Sequence, residues 1–264
     1  MHRLPLKGAS LLIAAVLTQA AVADTTLIFT SADNEGTETS KTEIADGMVR
    51  MSTPGTDGDM VFDSNNNRII ALNHQDRSYM IMDQATIEKL INMQKQMMAQ
   101  MEAQLQALPA SQREQMKKMM GQMMPGGMGN EPQPRSYERT GESREIAGYD
   151  CEVLEVYSGD RKASEQCVVD ASDLDIPDAD YATVRGMMDF VQQLAEGFSQ
   201  MSDEIVDFGE PGEDEIPVQF THYSKMAGTN TGQLQSISQD DIDPAVFAIP
   251  NNYKEQKIPE LDQF

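Results

Sequence analysis

From Thr25 to Asp83 apolar and polar residues alternate in short runs, a period of two that predicts sheet. Six runs carry it: "TLIFTS", "TSKTEIAD", "MVRMST", "DMVFDS", "RIIALN" and "SYMIMD". Between them stand turn-forming groups: Asp46-Gly47, Pro54-Gly55, "SNNN" and "NHQDR". Met60 and Phe62 alternate with Val61 and Asp63, which predicts strands with one buried face. At Gln84 the period changes. Ile87, Leu90, Ile91, Met97, Met98, Met101, Leu105 and Leu108 follow helical spacing, with Asp83 placed to cap the start and Pro109 to stop it. Ser111 and Glu114 then form the S-x-x-E pattern of a second helix start. Met116, Met119, Met120, Met123 and Met124 recur on one face of that helix. Residues 84–124 therefore read as a Met-rich helical hairpin, and residues 125–135, "PGGMGNEPQPR", as a flexible connector.

Strands resume near Tyr137 in "SYERTGESREIAG" and continue in "GYDCEVLEVYSGDRKASEQCVVD". A three-residue loop from Ser158 to Asp160 would pair Tyr157 with Arg161 and set Cys151 opposite Cys167. Opposed alpha carbons of an antiparallel pair lie within disulfide range, so a bridge is expected, contributing about 3 kcal/mol by loop closure. The spacing is not that of a C-x-x-C redox motif. A helix follows from about Asp180 to Phe208, with Val184, Met187, Met188, Val191, Leu194, Phe198, Met201 and Ile205 as its apolar stripe. The strands "VQFTHYSKM" and "GQLQSIS" flank the turn "AGTNT". Neither half closes by itself, which predicts one continuous antiparallel sheet with helices on one side, an α+β domain spanning residues 24–264.

Residues 1–23 carry Arg3 and Lys7, the apolar run "LLIAAVL" and the ending Ala21, Val22, Ala23. This is the pattern of a Sec-type signal peptide cleaved before Asp24. No cysteine follows that site for lipid attachment, and no later stretch approaches the roughly 20 apolar residues of a membrane span. The expected home is a Gram-negative periplasm, without a transmembrane anchor. The chain of 264 residues has 43 acidic against 20 basic side chains, a net charge of −23. Such a surface repels nucleic acid and anionic headgroups and favours solubility.

Several of these stretches resemble a known group. "LPASQREQMKKMM", "REIAGYDCEVLEVY", "ASEQCVVD" and "IDPAVFAIPNNYKEQ", in this order after a signal peptide and strand meander, resemble exported bacterial proteins that carry a domain of unknown function. These in turn resemble the lipoprotein-carrier (LolA/LolB-type) half-barrel. The resemblance implies a curved antiparallel sheet whose concave side is covered by helices. Gly148, Cys151 and Cys167 match the group's hairpin, and Phe247, Pro250 and Tyr253 its usual end. It brings no activity with it; a carrier role is implied by the fold alone.

Catalysis is not expected. After the leader only His74 and His222 remain as histidines, in strand or turn contexts, and no G-x-S-x-G elbow or Gly-rich phosphate loop is present. Metal spacing of the C-x-x-C or H-x-x-x-H type is missing too, and no cofactor is expected. The methionines are the remaining chemistry: of 20 in the chain, ten lie between Met93 and Met128. Thioether sulfur suits Cu(I), and Met116, Met119, Met120, Met123 and Met124 would present it one turn apart. Exposed thioethers also scavenge oxidants. The same spacings make a pliable apolar surface, because methionine is unbranched and polarizable. Met97, Met101, Met116, Met120 and Met123 are accordingly the candidate contacts for an apolar ligand, a lipid or a hydrophobic segment, or for an envelope protein partner.

Overall fold

The computed structural model describes residues 24–34, 36–109, 111–113, 134–198, 212, 214–224 and 228–257. The expected leader, most of the expected second helix of the Met-rich hairpin with Met116 to Met124, most of the expected connector 125–135 with Met128, and the end of the second long helix lie outside the described residues. The six predicted N-terminal runs are all strands: β1 (Thr25–Ala32), β2 (Thr37–Ala45), β3 (Met48–Ser52), β4 (Gly58–Asp63), β5 (Arg68–Asn73) and β6 (Ser78–Met82). Helix α1 (Gln84–Ala107) follows, then β7 (Arg135–Ile146), β8 (Tyr149–Ser158), β9 (Arg161–Asp170) and helix α2 (Asp178–Phe198). Strands β10 (Glu215–Ser224), β11 (Gly228–Ser238) and β12 (Lys254–Glu255) are the last of the described strands. The stretch "AGTNT" is mostly strand rather than turn, since β11 begins at Gly228 and pairs it with Ser224.

All twelve described strands form one sheet in the order β12-β6-β5-β4-β3-β2-β1-β11-β10-β9-β8-β7. Two meanders meet where β1 pairs antiparallel with β11, from Thr26 opposite Ser238 to Ala32 opposite Thr231. The continuous sheet and the α+β class follow expectation; only the two-residue β12 runs parallel, beside β6. The sheet is curled. Strands β7 and β11 come within 8 Å between alpha carbons, whereas four steps of about 4.8 Å across a flat sheet would hold them roughly 19 Å apart.

The disulfide forms between Cys151 and Cys167, with alpha carbons 5.3 Å apart, but the register that predicted it is corrected. Ser158 pairs with Arg161 and Tyr157 with Lys162, and the ladder then skips Ala163 so that Val156 faces Ser164. The connection is a two-residue turn, Gly159-Asp160, with Gly159 at φ 59°, a conformation glycine adopts without cost. Val153, not Cys151, stands opposite Cys167. The bridge is therefore diagonal.

Helix α1 starts as expected, with the Thr86 N–H donating to Asp83 Oδ1 at 2.8 Å. Its other end is closed from downstream: the Arg113 guanidinium donates to the carbonyls of Leu105, Gln106 and Leu108. Both helices lie against one side of the sheet. Ile87 of α1 and Val184 and Phe190 of α2 share a core with Ile44, Val49, Phe62 and Ile69, and Phe62 meets Phe190 with ring centroids 5.8 Å apart.

The expectation of a single buried face fails in the N-terminal half. Val61 and Phe62 are neighbours in β4, so they point to opposite faces, yet each is only 1% exposed. The second face is covered by the C-terminal segment. There Ala45, Val61, Ile70 and Leu72 are buried together with Phe247, and Ile242, Val246, Ile249 and Tyr253 pack around them. A 3-10 turn, Pro244–Phe247, shapes this cover, its first free N–H at Ala245 donating to Asp243 Oδ1.

Candidate functional site

The helix-bearing face of the sheet has a buried floor and a softer border. Register sets Val49, Phe62, Ile69 and Met82 side by side across β3, β4, β5 and β6. Val49, Phe62 and Ile69 are buried there, while Met82 is half-buried. Two residues along each strand, on the same face, the row reads Met51, Met60, Ala71, Met80. Every member of that row is half-buried. Met51, Met60 and Met82 pack against the core together with Met187 and Met188 of α2 and Ile91 of α1. Unbranched thioethers with three free torsions thus line the border between sheet and helices, a surface that can adjust to different apolar shapes.

These sheet methionines are not the ones the sequence singled out. Met97 is 59% exposed, off the stripe that α1 turns to the core. Met101 is half-buried on that stripe, between buried Ile87 and buried Leu105. Met116, Met119, Met120, Met123 and Met124 lie outside the described residues. The row Met51, Met60, Met80 was legible only as isolated methionines at alternating strand positions; which of them stand side by side depends on register.

The histidines take structural partners. His74 Nε2 lies 3.0 Å from Asp59 Oδ2, and its Nδ1 lies 2.6 Å from the Tyr253 hydroxyl. Arg50 donates to the same Asp59 oxygen at 2.6 Å and approaches Glu43 at 3.6 Å. The Arg50 guanidinium compensates the two buried carboxylates, and the contact of His74 with Tyr253 pins the C-terminal segment to the sheet. His222 packs on Phe220 with centroids 5.3 Å apart, and burial holds its pKa below the usual imidazole value. On the other half of the sheet, burial raises the Glu165 carboxyl, but hydrogen bonds from Lys162 and Arg144 outweigh it and leave its pKa lowered. Glu155 and Glu165 together raise Lys162 despite its burial. Among the described residues, no three His, Cys, Asp or Glu side chains converge on a position for a metal ion. No described helix is long and apolar enough to cross a membrane.

A curled, mostly antiparallel sheet with two described helices on its core face defines an α+β half-barrel, and its buried Cys151–Cys167 bridge marks an extracytoplasmic protein. The chain belongs to the family described as "Domain of unknown function (DUF4412)", whose model matches residues 91–253. No curated protein matches it. Among solved structures it is similar to an uncharacterized conserved protein from Thermus thermophilus, with a TM-score of 0.44 and 7% identity over 89% of this chain and 91% of that one. It is also similar to MucB of Pseudomonas aeruginosa in its complex with MucA, with a TM-score of 0.38 and 11% identity over 87% of this chain. The match covers 56% of that chain, so this chain spans about half its length. PNGF-II gives a TM-score of 0.37 and 6% identity over 89% of this chain and 31% of that one. At such scores these likenesses do not bear on activity.

Proposed function

We propose that this is a non-catalytic periplasmic binding or carrier protein for an apolar ligand, an acyl chain or a hydrophobic protein segment. One observation carries the reading: a row of half-buried methionines, Met51, Met60 and Met80, borders the helix-covered face of a curled sheet. Thioether side chains left half in water gain roughly 25 cal/mol per Å² when a ligand covers them, and their flexibility lowers the cost of fitting different chains. The acidic surface supports solubility while such a ligand is carried.

The test is native mass spectrometry of the exported protein purified without detergent. A co-purifying lipid mass is the expected result. A Met60→Glu variant, charged at the middle of the row, should lose that mass and bind a fluorescent fatty acid at least tenfold more weakly, roughly 1.4 kcal/mol. Copper adducts in place of lipid would overturn the reading, as would unchanged fatty-acid binding in the folded variant.

A further inference from the structure

The first strand begins beside a buried acid that is incompletely satisfied. Thr25 is fully buried, and Asp180, in the first turn of α2, is 4% exposed. Asp180 lies close enough to Thr25 for the N–H and hydroxyl of that residue to favour its charged form. Yet Asp180 Oδ2 and Thr25 Oγ1 each lack a hydrogen-bond partner of good geometry. Burial, the largest influence, pushes the Asp180 carboxyl above its ordinary range, and the carboxylates of Asp24 and Asp46 add to the push. A buried carboxyl with an unpaired oxygen and two like charges nearby is costly, so the site calls for a cation.

The chain can supply one. The leader pattern ends at Ala23, and hydrolysis of the Ala23–Asp24 bond consumes one water, leaves a carboxylate on Ala23 and frees an α-amine on Asp24. That amine is protonated at neutral pH, its ordinary pKa being roughly 7.7–8.0. Consecutive alpha carbons are about 3.8 Å apart, so the new nitrogen sits one residue from the Asp180 contact. Asp24 is held in place there, because its Oδ2 accepts the Ile242 N–H at 2.7 Å. In the precursor the same nitrogen is an uncharged amide.

We propose that Asp180 is the receptor for the mature N-terminus: removal of the leader creates an α-ammonium on Asp24 that pairs with Asp180 and locks β1 onto α2. Cleavage then completes the fold as well as releasing the protein. The pairing is independent of any ligand on the methionine row.

The experiment compares oxidised chains that begin at Asp24 with chains that begin Gly-Ser-Asp24, each as wild type and as Asp180→Asn. The native-start chain should melt higher than the extended chain by on the order of 5 °C, and Asp180→Asn should close the gap. The α-amine, titrated by NMR in the native-start chain, should lie at least about one pH unit above its ordinary value. Equal melting points, or a gap that survives in Asp180→Asn, would overturn the proposal. So would N-terminal sequencing of the exported protein that finds a start other than Asp24. Should Asp180→Asn fail to fold, the titration of the native-start chain decides, and an ordinary value ends the proposal.

Discussion

At the scale of single residues, Gly232 is defined by a neighbour. Phe220 stands opposite it across β10 and β11 and lays its ring over the glycine, so that an added Cβ would meet Phe220 Cζ at 2.1 Å. Gly232→Ala should therefore displace the ring and lower stability by about 1–3 kcal/mol, read as a shift of the urea midpoint at unchanged slope. Asp83 acts through charge. Its carboxylate accepts the Thr86 N–H at the start of α1, and that backbone hydrogen bond, the largest influence, holds its pKa below the usual value. A lowered folded value means that the group contributes its stability fully above the unfolded pKa, about 3.9, and loses it as pH falls through the folded one. Asp83→Ala should cost about 1 kcal/mol at pH 7. Urea midpoints of wild type and variant should then converge as the pH drops below both values.

Among the elements, the β8–β9 hairpin shows both the reach and the limit of sequence reasoning. Its two strands, its turn region and its disulfide partners were legible, because strand-like runs flank "SGD" and an extracytoplasmic chain with two cysteines has few other uses for them. Its register was not. The turn takes two residues rather than three and Ala163 is the extra residue of a bulge, and nothing in the local pattern marks either. Replacing both Cys151 and Cys167 with alanine should remove about 3 kcal/mol; an unchanged melting temperature would show that the bridge closes a loop already ordered in the unfolded chain. Helix α1 was legible at both ends, from Asp83 to Pro109. What covers a strand was harder to read: alternation assigns Val61 and Phe62 to opposite faces without saying whether either face meets water. Contacts between side chains on neighbouring strands were equally illegible. Helical spacing drew notice to Met97, which is exposed, while Met51, Met60 and Met80 meet only through the pairing of four strands.

For the whole molecule, the decisive element is one without a period. "IDPAVFAIPNNYK" alternates as neither helix nor strand, yet it forms the third layer of the N-terminal half, behind the sheet that carries α1 and α2 on its front. Phe247 is 6% exposed over Val61, Ile70 and Leu72, Tyr253 closes on His74, and β12 covers the outer edge of β6. An uncovered sheet edge and apolar face invite association with other chains. Phe247→Ala should cost roughly 3–5 kcal/mol, a large part of the roughly 5–15 kcal/mol available to an ordinary domain. Truncation after Gln239 should go further, giving a chain that binds a hydrophobic dye and aggregates when held at concentrations the full chain tolerates. The full deletion also removes the Ile242 N–H that holds Asp24, so it should loosen β1 at the point where the two meanders join. Hydrogen exchange on Phe247→Ala, which keeps that bond, separates the two effects: lost protection confined to β3, β4 and β5 follows from the missing cover alone, whereas loss extending to β1 and β11 would mean that the sheet opens as one unit.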